Sequence, residues 1–429
     1  MKTTIRRGAL AALMLSASTL WAGNLPEVTV PTDVATIQEA VDIAAEGGTI
    51  TVLAGVYQET LTISTPGLTL NSEGAILDAE YTGDGVTIQS DGVTLHGFTI
   101  LNGRRGIVVR HADLSVPTPL VEISIDENIV RTTLKAGIDV FEAEVRITNN
   151  VVEGSRETAI SVEIEDALLT SLVAGNSVRL GEQSGLQVSG AVDPVVEQNT
   201  VSSCGGTGIF VRSASNFLSE ARMLNNVVEN CRSDGILLDV PEGSAEVLSN
   251  RSSANGGIGL LVSADAPSVL RGNITERNSF GMGVTGSFSV SRCRSMDNLN
   301  MGFDLVVTNG LQGEFSNNVS HGNGTDGVFA VAFGDLLIRN NRIFENLQDG
   351  VKVGYCEAGT ALENNQIRQN GHQGISNDGQ DLNLIGNTVK DNGVGLGPDI
   401  AGMGLGAGTI ALFVGNLFDT GGIDTPDRL

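Results

Sequence analysis

The sequence predicts an all-β protein that folds as a single parallel β-solenoid of about fifteen coils. The first observation is a repeat: an Asn that precedes apolar or β-branched residues recurs mostly every 22 to 27 residues. The second is that an apolar residue, usually after Gly, follows the Asn by ten positions. The third is the lack of helical periodicity from about residue 100 onward. Together they indicate short strands joined by tight turns.

Each repeat has one arc of constant length and one of variable length. Within the constant arc, positions two, ten and twelve after the Asn are commonly apolar, as in Val228, Ile236 and Leu238. This alternation is typical of short strands with one buried face. In the coil that begins at Asn273 the pattern is displaced, and we assign its position ten to Val284, eleven residues on. Such strands cannot close a core alone, so the coils must stack into a rod of roughly 70 Å.

The repeated Asn predicts a ladder of hydrogen bonds inside the solenoid. Residues at the same position of successive coils stack, and a buried Asn amide can bond both backbone and the next Asn. The predicted ladder contains Asn128, Asn150, Asn176, Asn199, Asn226, Asn250, Asn273, Asn318, Asn341, Asn365, Asn387 and Asn416, with Cys293 replacing one Asn. A second ladder, five positions later, contains Asn255, Asn278, Asn298, Asn323, Asn346, Asn370 and Asn392.

Two of the four cysteines, Cys204 and Cys231, occupy the second-ladder position in adjacent coils. Stacking would bring their Cα atoms within disulfide range, although parallel Cβ vectors are unfavourable for a bridge. We therefore expect either a disulfide or a reduced, buried thiol pair. No CxxC pair occurs, so a structural zinc site is not expected.

Residues 1–22 have the features of an export signal. Lys2, Arg6 and Arg7 precede a segment of small and apolar residues, and either the general or the twin-arginine route could be used. No later run reaches the ~18 apolar residues that a membrane span needs. We expect an exported protein that is periplasmic, extracellular or displayed at the cell surface.

The segment 23–73 is predicted to form a capping helix and the first strands. Thr36 and Glu39 make a capping box, and the Gly pair at 47–48 is expected to end the helix. The helix would cover the open end of the solenoid, where an exposed sheet edge invites aggregation. Residues 74–429 then form the β-helix repeats, with a Gly-rich C-terminal end.

The charge of the chain excludes some classes of partner. The sequence has 50 Asp and Glu against 25 Lys and Arg, a net charge of -25. Nucleic acids and anionic membranes require cationic surfaces, so neither is an expected partner. We expect a soluble monomer for which cation binding stays open.

The segment PTDVATIQEAVDIAAEGGTITVLAGVYQE (31–59) resembles the opening of pectinesterase-like and NosD-like members of the pectin-lyase-like superfamily. The later coils, in which an Asn pair is followed by Gly-Ile, are similar to the parallel β-helix repeats of that superfamily. The resemblance covers nearly the whole chain after the export signal and implies a right-handed parallel β-helix. It does not imply one activity, because the superfamily includes lyases, hydrolases, esterases, epimerases, adhesins and non-enzymes.

The sequence carries no recognisable catalytic motif of these branches. It lacks the Asp pairs of polygalacturonase-like enzymes, the Q-D-T segment of pectinesterase-like enzymes and the D-P-H motif of alginate-type epimerases. We therefore expect a carbohydrate-associated or surface scaffold or binding protein, with an acidic polysaccharide or cell-surface glycan as partner. Whether the protein is an enzyme stays open.

The alternative is a Ca²⁺-assisted polyuronate lyase. Such chemistry needs carboxylates that bind Ca²⁺ and a base that removes the proton α to the uronate. Outward positions eleven and thirteen form a candidate uronate or calcium patch of Arg110, Asp139, Glu163, Arg212 and Asp239, with Arg212 as the base. Charged residues are equally what the surface of a soluble, acidic solenoid requires. No cofactor beyond Ca²⁺ is expected.

A second alternative is a NosD-like periplasmic accessory protein for metal-enzyme maturation. Its weakness is that the Met and His residues form no soft-metal cluster in the sequence.

Overall fold

Parallel strands stacked in successive coils make up the protein. The computed structural model describes residues 25–113, 118–165, 169–215, 218–308, 310–356, 359–393, 403–405, 409–418 and 423–424. These residues form one helix, Ile37–Ile43, and 45 strands. The strands pair in parallel from coil to coil over about 15 turns, which confirms the all-β solenoid that the repeat predicts.

Three ladders of parallel strands run along the solenoid, and we call them sheets A, B and C. Sheet A follows the Gly of each repeat and contains Leu61–Ile63, Val86–Ile88, Ile107–Val109, Ile138–Phe141, Ile160–Glu163, Leu186–Ser189, Ile209–Arg212, Ile236–Val240, Phe303–Val307, Val328–Ala332, Val351–Cys356, Ile375–Asn377, Met403–Leu405 and Ile423–Asp424. Sheet C follows the ladder Asn and contains Thr99–Leu101, Ile129–Arg131, Val151–Glu153, Ser177–Arg179, Thr200–Ser202, Val227–Glu229, Arg251–Ser253, Ile274–Glu276, Arg294–Met296, Val319–His321, Arg342–Phe344, Gln366–Arg368, Thr388–Lys390 and Leu417–Phe418.

Sheet B precedes the ladder Asn. It contains Leu25–Val30, Thr94–His96, Leu120–Asp126, Ala143–Thr148, Ser171–Ala174, Val195–Glu197, Glu220–Leu224, Ser244–Leu248, Gln312–Ser316, Asp335–Arg339, Ala361–Glu363, Leu382–Ile385 and Ile410–Val414. Four longer strands turn a corner between sheets. Ala44–Tyr57 and Thr69–Asp78 run from B into C, and Ile258–Arg271 and Phe280–Ser291 run from A into B.

Inward-facing side chains of consecutive coils stack into columns that fill the interior. In sheet A, Ile138 pairs with Ile160 of the next coil and Ile160 with Leu186, and all three are fully buried. Burial of each such side chain stabilises the fold by roughly 1.5–3 kcal/mol. One continuous apolar cluster extends through the described coils.

The Asn ladder forms as predicted. The backbone N–H and the side-chain amide of Asn226 both donate to Asn250 Oδ1, at 2.9 and 3.0 Å, and the amide also donates to the Val196 carbonyl at 2.8 Å. The same bonds to the next Asn link Asn128, Asn150, Asn176, Asn199, Asn250, Asn318, Asn341, Asn365 and Asn387 to their successors. At the break, the Asn273 amide lies 3.8 Å from Cys293 Sγ.

The residue before a ladder Asn explains the frequent Asn pairs. Asn225 and Asn317 have φ angles of 55° and 58°. Asn adopts this left-handed conformation more readily than most residues, so the first Asn of a pair turns the chain and the second forms the ladder. The second ladder forms likewise from Asn255 to Asn392.

The coil that begins at Asn273 has a different register from the one predicted. Met282, nine residues after Asn273, pairs with Leu260 and Phe303 in the position-ten column. The assignment of Val284 to that column was wrong, because the turn of this coil is one residue shorter. Gly283 consequently lies on a strand of sheet A and faces outward.

The N-terminal helix has its predicted start and a different end. Thr36 Oγ1 accepts from the Glu39 backbone N–H at 3.2 Å, and the Glu39 carboxylate accepts from the Thr36 N–H at 3.2 Å. The expectation that the Gly pair at 47–48 ends the helix was wrong, since the helix ends at Ile43. Ala44 is already extended because it pairs with Leu25 in sheet B.

The described part of the chain contains no helix long and apolar enough to cross a membrane. The export signal predicted at residues 1–22 lies outside the described residues.

All four cysteines are free and buried. The bridge considered between Cys204 and Cys231 is not formed, and the structure has the reduced, buried pair instead. Their parallel stacking accounts for this, because the side chains point the same way rather than towards each other. The hydrogen bond with the Cys231 thiol, together with burial, raises the pKa of Cys204.

Candidate functional site

The outer face of sheet A carries two columns of outward side chains. The first column contains Val108, Asp139, Ser161, Gln187, Phe210, Leu237, Leu261, Gly283, Asp304, Phe329 and Lys352. The second contains Phe141, Glu163, Ser189, Arg212, Asp239, Ser263 and Thr285. Period-two alternation places both columns opposite the core.

The structure divides the patch that the sequence predicts. Arg212 and Asp239 are neighbours in the second column, with Arg212 Nε 3.3 Å from Asp239 Oδ2. Glu163 is separated from Arg212 by the coil of Ser189, about 10 Å at the usual strand spacing. Asp139 lies in the first column, and Arg110 directly follows the strand of the preceding coil. The five residues share one face without forming a single cluster.

Asp139 belongs to an ion-pair network that sequence reasoning missed. Arg105 Nε lies 3.0 Å from Asp139 Oδ2, and Arg105 Nη1 lies 3.6 Å from Asp84 Oδ2. Arg104 Nη2 binds the same Asp84 oxygen at 3.0 Å. Both arginines lie in the turn before a strand, where the repeat has no assigned position. The signal for them was the Arg-Arg pair itself, one coil away from Asp139.

Burial and charge act in opposite directions on these carboxyls. Burial raises the pKa of Asp139 above its usual value, although Arg105 opposes this shift. Burial would also raise the pKa of Asp84, but the hydrogen bond from Arg104 and the charges of Arg104 and Arg105 lower it overall. Asp84 therefore stays ionised at neutral pH and forms ion pairs with both arginines.

This arrangement limits the chemistry of the predicted patch. Arg105 and Arg212 each already bind a carboxylate, so an incoming uronate must compete with a protein side chain. Among the described residues, no three His, Cys, Asp or Glu side chains are arranged to hold a metal ion. An anion can bind to the patch when it replaces the protein carboxylate that is paired with one of these arginines.

A recess interrupts the first column at Gly283. Leu261 lies on one side of this glycine and Asp304 on the other, one coil away in each direction. The recess is a cavity of about 260 Å³. Its lining consists of Gly281, Gly283, Asp304 and the apolar residues Ile258, Leu261, Phe280, Met282 and Met301, of which Met282 has its side chain in the core. We call it the Gly283 recess.

Asp304 is the ionisable group of the Gly283 recess. Its Oδ1 atom is buried and finds no hydrogen-bond partner among the described residues. Burial raises the pKa of this carboxyl. Asp304 lies eleven residues after Cys293, so the repeat assigns it to the outer face, whereas the recess beside it has no such signal, because the assignment of Val284 to position ten puts Gly283 before the strand.

A second acidic group has a structural role. Asp349 Oδ1 accepts from the Gln373 backbone N–H at 2.9 Å and lies 2.7 Å from His372 Nδ1. In the coil before, Asp326 Oδ1 accepts from the Asp349 backbone N–H at 3.0 Å. These carboxylates bind turn backbone, as in other tight turns. His372 is half exposed and bound to Asp349.

Comparison with known proteins identifies the architecture. The sequence model described as "Right handed beta helix region" matches residues 84–240 and 292–418. No curated protein sequence matches the chain.

Three solved structures illustrate the structural similarity. The catalytic unit of a thermostable GH87 α-1,3-glucanase from Streptomyces thermodiastaticus strain HF3-3 is 16% identical over 93% of this chain and 70% of its own, with a TM-score of 0.48. The periplasmic alginate epimerase AlgG is 14% identical over 90% and 83%, with a TM-score of 0.37. The A-module of mannuronan C-5 epimerase AlgE6 from Azotobacter vinelandii is 16% identical over 89% and 94%, with a TM-score of 0.33. Identities of this size do not identify a substrate or a reaction.

Proposed function

Because the chain belongs to the family of right-handed β-helix proteins, we propose that it is an exported, carbohydrate-associated scaffold that binds a glycan on the outer face of sheet A. Support for export is the predicted signal at residues 1–22, followed by a chain without a membrane-spanning helix among its described residues. A stiff, monomeric rod with a filled interior presents its surface, and not an internal cavity, to a partner.

Support for glycan binding comes from the mixture of side chains on one rigid face. Phe210, Leu237 and Leu261 follow one another in the first column and are half-buried. The Gly283 recess comes next, and the Arg212–Asp239 pair lies in the adjacent column. Binding sites for small polar molecules combine apolar walls with a few placed polar groups. Sugar rings suit such a face because their C–H surfaces pack on apolar side chains while their hydroxyls bond to charged ones.

The arginines of this face favour an acidic polysaccharide or an acidic cell-surface glycan as the partner. Arg212 is about half exposed, with 56% of its side chain accessible, and its pairing with Asp239 is open to exchange. A glycan carboxylate can take the place of Asp239 because an exposed ion pair contributes at most about 1 kcal/mol. Arg110 lies on the same face, where its charge opposes the burial that raises the pKa of Asp139.

A Ca²⁺-assisted polyuronate lyase is the second candidate. An accessible guanidinium beside a carboxylate, as in Arg212 and Asp239, is the observation that favours it. Against it, Asp139 and Glu163 lie in different columns, and the described residues do not assemble a group of metal ligands. A NosD-like accessory role has no supporting cluster of His and Cys ligands in the described part of the chain.

A glycan panel tests the proposal. We expect the mature protein to bind acidic glycans and the Arg212→Ala variant to bind them at least several-fold more weakly. Arg222→Ala is the matched control, because Arg222 Nε lies 2.9 Å from Glu246 Oε2 in an equally exposed pair on sheet B. Equal loss in both variants, or no binding to any glycan, would overturn the proposal. Unsaturated products released from polyuronates with Ca²⁺, and lost in Arg212→Ala, would favour the lyase instead.

A further inference from the structure

The Gly283 recess results from one short coil. The repeat from Asn273 to Cys293 spans 20 residues, the shortest distance between neighbouring ladder positions. In this coil the first-column residue has no side chain, whereas its neighbours are Leu261 and Asp304. A Cβ atom added to Gly283 would come within 2.8 Å of Leu261 Cδ1, so the Leu261 side chain already leans over the gap. The opening is therefore a narrow, walled space.

The recess holds a carboxyl group that the fold does not satisfy. Of the eight described residues that line the cavity, Asp304 is the one with an ionisable side chain. Oδ1 of Asp304 is buried and accepts no hydrogen bond from the described residues. Burying a carboxylate without a partner is costly. A ligand that enters the cavity and donates a hydrogen bond to the Asp304 carboxylate would offset this cost.

The chemistry of the lining defines that donor. Apolar walls from Leu261, Phe280 and Met301 call for an apolar surface on the ligand, and the carboxylate calls for a charged donor. The net charge of -25 raises the local concentration of cations and lowers that of anions. A volume of about 260 Å³ accommodates one ring and excludes an oligosaccharide.

We infer that the Gly283 recess binds a single sugar ring that carries a protonated amine, with the ammonium group at the Asp304 carboxylate and the ring against Leu261 and Met301. The choice of a sugar as the carrier of the amine rests on the proposed glycan role. A uronate is excluded because two carboxylates would meet in an apolar cavity. A neutral sugar fills the space but leaves the Asp304 charge less well compensated.

Calorimetric or NMR titration with three monosaccharides of the same ring tests this inference. D-glucosamine, D-glucose and D-glucuronate differ in charge and share their shape. We expect glucosamine to bind roughly ten- to hundredfold more tightly than glucose, as for a hydrogen bond to a charged group. We expect no measurable binding of glucuronate.

Three variants separate the recess from general attraction to an acidic protein. Asp304→Asn keeps the shape and should remove the preference for glucosamine. Gly283→Leu fills the recess, keeps Asp304 and should abolish binding, and the backbone tolerates it because Leu237 and Leu261 occupy the same column. Asp265→Asn removes the same charge from an exposed position on the strand Ile258–Arg271 and should have no effect. Thermal unfolding of each variant checks that the fold is retained.

Equal affinity for glucose and glucosamine, or a glucosamine preference that survives Asp304→Asn, would overturn the inference. The glycan panel fails separately from this test, because it depends on Arg212. A panel without any bound glycan, combined with an Asp304-dependent preference for glucosamine, would overturn the scaffold role and keep the amine site. Binding of acidic glycans without a preference for glucosamine would keep the scaffold role and overturn the amine site.

Discussion

Arg212 and Asp239 occupy the same position of adjacent coils, and the Arg212 Nε atom lies 3.3 Å from Asp239 Oδ2. The pair follows directly from the repeat, since residues 27 positions apart in sequence become neighbours across one strand spacing. It is a contact on the surface of the rod, and the interior packing does not depend on it.

The stability of Arg212→Ala should therefore remain close to that of the wild type. We expect a change of less than about 1 kcal/mol in the free energy of unfolding, because exposed ion pairs contribute little and are screened by salt. Urea denaturation at low and at physiological ionic strength measures it. A loss of several kcal/mol would mean that any effect on glycan binding reflects unfolding.

The Asn ladder should respond differently to substitution. Asn226→Ala removes an acceptor for the Asn199 backbone and amide, and a donor to the Val196 carbonyl, all of them buried. We expect a loss of about 2–4 kcal/mol from these unsatisfied groups, measured by urea denaturation. Asn225→Gly is the matched control, because Gly adopts the left-handed conformation of Asn225 without strain, and its effect should stay within about 1 kcal/mol.

The break in the ladder offers a gain of stability. Cys293 accepts from the Asn273 amide at 3.8 Å, and its backbone N–H donates to Asn318 Oδ1 at 2.8 Å. An Asn at this position has acceptors and donors on both sides, so Cys293→Asn should raise the free energy of unfolding by about 1 kcal/mol. Cys293→Ser, which cannot reach both neighbours, should not. A destabilised Cys293→Asn would show that the short coil does not accommodate the larger side chain.

Asp304→Asn should make the stability of the protein less dependent on pH. Burial raises the pKa of Asp304 in the folded state, so its contribution is fully present below the ordinary Asp value of about 3.9 and is lost as the pH rises through the folded pKa. The variant should therefore be more stable than the wild type at pH 7, by on the order of 1 kcal/mol, and not at pH 3. Thermal unfolding at both pH values decides this. A wild type that is the more stable at pH 7 would contradict it.

The cysteines should behave as free thiols that burial protects from reagents, even though the hydrogen bond with the Cys204 thiol lowers the pKa of Cys231. Burial raises the pKa of Cys293 to about 11, and thiolate is the reactive form. In the folded protein at pH 8 we expect little alkylation, whereas the denatured protein should yield four thiols under non-reducing conditions. A count of two would instead indicate a bridge.

The regular part of the fold was predictable because the same residue types recur at the same spacing in successive coils and so make the same contacts. Equivalent Asn residues at constant spacing are expected to stack in successive coils. Counting positions from this Asn therefore predicted the ladder from Asn128 to Asn416 and the outward position of Arg212. Asp139 was placed correctly, but its partner Arg105 was not found, because turn residues have no fixed position in the count.

The Gly283 recess illustrates where counting fails. The recess arises because Gly283 has no side chain and because the turn before it is one residue shorter. Neither feature can be recognised from the spacing of apolar residues in the sequence. Assigning Val284 to the position of Met282 moves Gly283 out of the first column, where the structure has it between Leu261 and Asp304. The end of the helix was missed for a related reason, since the pairing of Ala44 with Leu25 ends it before the Gly pair does.

The ladders also determine how the rod would respond to force. Each coil is held by its two neighbours alone, and Asn226 bonds to the coils before and after it but to no others. Tension applied at one end would peel coils away in sequence, each releasing its 20 to 29 residues, or about 70–100 Å of extended chain. The protein would thus unfold in many small steps at similar force and dissipate mechanical work gradually, whereas a globular domain unfolds in a single step.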